Sequence, residues 1–330
     1  MSGRSEFVYE LQVCRWAELA WPPDDGESTA IVARQLGTKQ RRWDTVVVEV
    51  DPEALAARHQ FGDRELDSDL LHVVRHAPAE WAFYREALPH PGYPWRYVRE
   101  AIHRAADRGI VDTRRDGNKI QIKRIAPYPD WVRRLIAIEN KPDLDASAAR
   151  QLADQLQHDV DTGLADEVWV ATTKTGRRVE PALLESLPVE AGILTTAFAG
   201  GVDRESATIE WYPTRLQPAH DADYRAARRL ELAERAYGRG WRNYGRTMRP
   251  DCRHFELRRD GRALLPWCAA KGYHQSSAVC SGSCGEFQPE PPAWRTRGWP
   301  IEGGPGKGIK RLLDDRAARY NGRDRADSGE

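Results

Sequence analysis

Between residues 6 and 20 the apolar positions Phe7, Leu11, Cys14, Ala17 and Leu19 recur near helical spacing, and Trp21-Pro22-Pro23-Asp24-Asp25-Gly26 stops the pattern. This predicts a first helix. Two β-branched runs follow, Thr29-Ala30-Ile31-Val32-Ala33 and Thr45-Val46-Val47-Val48-Glu49-Val50, on either side of a turn-like basic stretch over 37–42. They predict consecutive strands. Leu135-Ile136-Ala137-Ile138-Glu139 predicts a third strand, 145–163 a helix with Ala149, Leu152, Leu156 and Val160 on one face, and 167–172 a fourth strand. Further strands are expected over 192–196 and 207–212. Helix, strand, strand, strand, helix, strand describes an α/β core whose third strand is delayed by roughly 80 residues.

The delay has its own pattern. Residues 66–75 and 79–88 read as two short helices, His90-Pro91-Gly92-Tyr93-Pro94 breaks the chain, and 95–108 reads as a longer amphipathic helix with Val98, Ile102 and Ala105 inward. Ile110-Val111-Asp112, the turn Arg115-Asp116-Gly117-Asn118 and the alternating Ile120-Gln121-Ile122-Lys123 then predict a hairpin. This order of helices and hairpin resembles a winged helix-turn-helix. The resemblance implies a third helix in the major groove, carrying Arg96, Arg99, His103 and Arg104, and a wing whose Arg114, Arg115, Lys119 and Lys123 meet phosphate. A winged helix used for protein contacts is the competing reading.

Composition sharpens this. The 330 residues carry 50 basic and 50 acidic side chains, but residues 94–134 hold 11 basic against 5 acidic (net +6) and 225–262 hold 12 against 5 (net +7). A neutral chain with two basic patches can hold a polyanion locally. A mean hydropathy of -0.69 leaves no apolar run of the roughly 18 residues a membrane span needs. The start, MSGRSEFVYELQVCRW, lacks the apolar segment of a signal peptide, so a cytoplasmic protein without a membrane partner is expected.

Candidate chemistry lies at the ends of the predicted strands. In Ile136-Ala137-Ile138-Glu139-Asn140-Lys141 a period of two sends Glu139 and Lys141 to one face. Asp44 opens the neighbouring apolar strand, so its carboxylate and that of Glu139 can converge on one divalent cation. Hard oxygen ligands suit Mg2+ or Mn2+. Such a metal polarises a phosphodiester and acidifies a water, while Lys141 orients that water or stabilises charge on phosphorus.

Asp44 followed by Glu139-Asn140-Lys141, set in this order of elements, resembles the PD-(D/E)XK nuclease superfamily. The resemblance implies a restriction-endonuclease-like α/β core, with Glu10 as an additional acidic residue and Gln155 matching the glutamine of RecB-like members. Asp44 lies 95 positions before Glu139, a distance that a winged-helix insertion explains. The wider pattern, Arg34-Gln35-Leu36-Gly37, Asp44 to Glu49, Glu139 to Leu144 and Cys252-Arg253-His254-Phe255, also resembles an uncharacterised haloarchaeal family, which brings no activity with it.

Four of the five cysteines, Cys252, Cys268, Cys280 and Cys284, fall within 33 residues beside His254 and His274. They predict a zinc site that stabilises a segment with little apolar core, or else an iron–sulfur cluster, for which the RecB-like branch implies Cys14 with Cys268, Cys280 and Cys284. The expected organisation is therefore a core over 1–62 and 127–215, a winged-helix insertion over 63–126, a basic helix and cysteine-rich module over 216–300, and a flexible tail over 301–330. The expected function is Mg2+- or Mn2+-dependent hydrolysis of duplex or branched DNA, by a monomer or a homodimer. The alternative is a non-catalytic winged-helix DNA-binding protein or regulator on a degenerate nuclease scaffold.

Overall fold

The computed structural model describes residues 4–23, 28–38, 41–173, 186–198, 201–217, 222–241, 252, 254–260, 263–275, 279–280 and 284–288. The chain divides into two compact units, residues 9–242 in one and residues 1–8 with 243–330 in the other. The expected tail over 301–330 lies outside the described residues.

The larger unit is built on a six-stranded mixed sheet. Its chain begins in helix α1 (Arg4–Ala20), then passes through β1 (Thr29–Gly37) and β2 (Arg42–Val50). After a long insertion it continues as β6 (Val132–Asn140), α6 (Ala146–Thr162), β7 (Glu167–Thr173), β8 (Gly192–Thr196) and β9 (Ala207–Trp211). The strand order is β1-β2-β6-β7-β8-β9. β1/β2 and β2/β6 are antiparallel, β6/β7 and β7/β8 parallel, and β8/β9 antiparallel. Helix α6 makes the β6-to-β7 crossover that a parallel pair requires. Asp145 caps its start by accepting from Ala148 N at 2.7 Å, and Gly163 ends it in the left-handed conformation (φ 54°).

Both faces of the sheet are covered, which is why Val46 to Val48 and Leu135 to Ile138 are apolar without alternation. Val13, Cys14, Trp16 and Ala17 of α1 pack on Val32, Val47, Ile136 and Ile138. On the opposite face Leu152 and Leu156 of α6, with Leu232, Ala233 and Ala236 of α7 (Ala222–Arg239), cover Val46, Val48, Leu135 and Ala137. The expected grouping of this basic helix with the cysteine-rich module therefore needs revision, because α7 packs on β1, β2 and β6.

The insertion between β2 and β6 opens with a helix whose Ala54 and Leu55 pack on the sheet core, and its remainder forms a second core. It runs α2 (Pro52–Arg58), α3 (Ser68–His76), β3 (Ala82–Phe83), α4 (Tyr84–Ala87), α5 (Trp95–Asp107), β4 (Val111–Asp116) and β5 (Lys119–Arg124), with strand order β3-β5-β4. The helix expected over 79–88 is thus a two-residue strand followed by one helical turn, because Ala82 and Phe83 pair with Ile122 and Gln121 of β5. Leu70, Val73, Val98, Ile102 and Ile122 are among the residues that close the core. The β4–β5 turn has Gly117 at φ 58°, the backbone that a tight two-residue hairpin demands and that glycine supplies without strain.

The smaller unit contains β10 (Phe255–Asp260), β11 (Ala263–Cys268) and β12 (Tyr273–His274), an antiparallel three-stranded sheet. Among the described residues no helix is long and apolar enough to cross a membrane.

Candidate functional site

The β2/β6 ladder pairs Thr45 with Ile138, and one further step of that register sets Asp44 beside Glu139. Asp44 Oδ2 accepts the backbone N–H of Asn140 at 3.0 Å. Lys141 follows directly, half-buried, its N–H donating to Ala171 O of β7 at 2.8 Å. These residues therefore gather at the carboxyl ends of parallel β6 and β7, the end at which open α/β sheets place their ligands.

Helix α1 adds a third carboxylate. Glu10 is buried and its Oε1 accepts from Arg34 Nε and from Gln35 Nε2, both at 2.9 Å, while Gln35 Nε2 also reaches Asp44 Oδ1 at 3.1 Å. Gln35 does this from a left-handed backbone (φ 52°), a conformation that costs a non-glycine residue on the order of 1 kcal/mol or more. The alternation of β1 flips there, so Ala33 and Leu36 both join the core beneath α6 and α7.

A fourth carboxylate comes from α6. Arg41 Nη2 contacts Glu139 Oε1 at 2.6 Å and Asp159 Oδ2 at 2.9 Å, and Trp43 Nε1 donates to Asp159 Oδ1 at 3.0 Å. Burial and then the neighbouring Asp44 push the Glu139 carboxyl up to about 8, outweighing the pull of Arg41. Burial likewise raises Glu10, against the opposing pull of Arg34, with Asp44 raising it further. Four acids faced by two arginines in a partly dry setting favour the protonated forms of Glu10 and Glu139. Nearby, Asn140 Nδ2 donates to Thr45 Oγ1 at 3.0 Å, and its buried Oδ1 has no hydrogen-bond partner.

Of the expected catalytic residues, then, Asp44, Glu139 and Glu10 come together and Lys141 adjoins them. Gln155 does not join them: it is exposed on α6, off the stripe formed by Leu152, Leu156 and Asp159. Asp159 was findable as a carboxylate at core spacing on an otherwise apolar helix face. Arg41 carried no such signal, because it lies in a turn whose basic residues look solvent-facing. Among the described residues no three His, Cys, Asp or Glu side chains are drawn close enough to hold a metal ion.

The expected DNA-contacting residues lie on α5 and the β4–β5 hairpin. Arg96, Arg99, His103, Arg104, Arg114, Arg115 and Lys119 are exposed, and Lys123 is half-buried. Some are already engaged: Arg104 pairs with Asp67, Arg114 stacks over Trp81 at 4.6 Å, and Lys119 lies 5.1 Å over Phe83 and 3.9 Å from Glu86. The second basic patch crosses 242–251, outside the described residues. The cysteines separate into two settings. Cys14 is buried in α1, its Sγ 3.3 Å from Thr45 Oγ1, and burial pushes its thiol up to about 12. Cys252, Cys268, Cys280 and Cys284 line one pocket in the smaller unit and form no disulfide.

Fold and site together define a mixed α/β protein with a covered six-stranded sheet and a buried acidic cluster at one end of it. The chain belongs to a family of unknown function (DUF5787), which matches residues 31–289. Searches of curated proteins and of solved structures find no match.

Proposed function

We propose that the chain is a metal-dependent nuclease that hydrolyses phosphodiester bonds in DNA. The observation that carries this reading is the meeting of Asp44 and Glu139 on adjoining strands, in a core whose element order and strand directions fit a restriction-endonuclease-like fold. Their carboxylate oxygens suit Mg2+ or Mn2+, which when bound would polarise the phosphodiester and acidify a water. Lys141, two residues beyond Glu139, orients that water or stabilises the developing negative charge. Glu10 acts at one remove: it holds Gln35, which holds Asp44. The succession α3, β3, α4, α5, β4, β5 supports a winged helix, with α5 in the major groove and the hairpin against phosphates.

A second reading, a non-catalytic DNA-binding protein on the same scaffold, is favoured by one feature. Arg41 already pairs with both Glu139 and Asp159, standing where a metal ion would. Incubating the protein with labelled duplex, single-stranded and branched DNA in Mg2+, Mn2+ or EDTA separates the two. The nuclease reading expects metal-dependent cleavage that falls about 100-fold or more in Lys141→Ala and Asp44→Asn, with DNA affinity retained. Binding without cleavage in either metal selects the second reading, and no binding at all removes both.

A further inference from the structure

We propose that Cys252, Cys268, Cys280 and Cys284 hold one zinc ion as a four-thiolate site. This inference is independent of the nuclease reading, since every residue in it belongs to the smaller unit. The four cysteines come from separate segments and nevertheless line the same pocket. β-pairing explains half of this: the β10/β11 ladder begins at Phe255 opposite Cys268, and Phe255 N donates back to Cys252 O at 3.0 Å. The hairpin thereby carries Cys252 and Cys268 to one end. Two further tight turns start at cysteines, with Gly272 N donating to Cys268 O at 2.8 Å and Phe287 N to Cys284 O at 3.1 Å. Backbone fixed in turns loses less freedom when its thiols close on an ion.

Among the described side chains of 252–288 the buried ones are Cys252, Pro266, Cys268, His274 and Gln275, with no large aliphatic residue. Structural zinc bound by such a segment would supply folding energy directly. Soft thiolates select zinc over hard cations. Four thiolates with Zn2+ carry a net charge of −2, and the ammonium of Lys271 beside Cys284 offsets part of it. The sulfurs line the pocket wall without being drawn into a closed ligand shell. Cys14 is not a fifth candidate: it is packed among Tyr9, Val13 and Val47 in the other unit.

The test is elemental analysis of the full chain, purified without a chelating tag. One zinc per chain is expected, falling to about one tenth or less in Cys280→Ser and Cys284→Ser. Because those variants can lose their fold, the wild-type protein is also titrated with a mercurial reagent. Zinc should leave in step with four thiols while Cys14 reacts only after denaturation. Iron and sulfide with visible absorbance, thiols that titrate with no metal released, or zinc retained in both variants would each overturn the proposal.

Discussion

Arg41 carries two buried acids on one guanidinium. Removing it leaves Glu139 and Asp159 without their cation in a site where Asp159 is 1% exposed, and breaking a buried pair in this way costs several kcal/mol. Arg41→Ala should therefore lower unfolding free energy by about 3 kcal/mol, read from urea midpoints in EDTA. Mg2+ should then restore more stability to the variant than it adds to wild type, because the ion would supply the lost charge. Equal effects on both proteins would place Mg2+ away from these acids. At this scale the acidic pair was legible: Asp44 and Glu139 flank runs of Val and Ile, where a carboxylate has no packing role. Gln35 and Arg41 were not, because their contacts depend on a backbone flip and a turn that no periodicity announces.

Helix α7 is tied to the start of the insertion by one buried ion pair. Arg58 Nε and Nη2 meet Glu234 Oε1 and Oε2, each at 2.6 Å, with both side chains 0% exposed. Leu66 N and Tyr128 Oη also donate to Glu234, at 2.8 and 2.5 Å. Glu234→Ala should cost about 3–5 kcal/mol, since it strands a guanidinium in the interior, whereas Arg58→Met with Glu234→Leu should recover part of that loss, the Leu66 and Tyr128 donors staying unpaired. Thermal unfolding of the two variants beside wild type decides this, and a Glu234→Ala protein as stable as wild type would show the pair to be dispensable. Element types were readable where periodicity was long, as in α1, α5 and α6. Two elements resisted for different reasons: β3 is a strand only because β5 pairs with it, and α7 shows an apolar stripe without saying which surface it covers.

Over the whole molecule, charge is balanced in sum and uneven in place. If the hairpin grips phosphate as proposed, Arg115→Glu with Lys119→Glu should weaken duplex binding at every sequence alike. The slope of log affinity against log salt should also shrink by about 2. An unchanged slope, measured by anisotropy titration, would take the hairpin out of the interface. The order of core elements along the chain was legible, and so was the adjacency of the Asp44 and Glu139 strands, but the contacts that close the insertion were not. Sequence separation hides the fact that Asp51 N meets Trp131 O at 2.9 Å.

That closure has a consequence for how the molecule is made. Val50 pairs with Val132, so everything between them is, in effect, one very elaborate hairpin turn. An open loop of that length would meet a loop-closure entropy cost before any ladder bond formed, but a turn that folds around its own core brings its ends together first. During synthesis the insertion emerges before β6 and can fold as a unit ahead of it. Asp44 therefore waits for Glu139 until the intervening domain exists, and a chain truncated between residues 44 and 132 carries half of an acidic pair and no assembled centre.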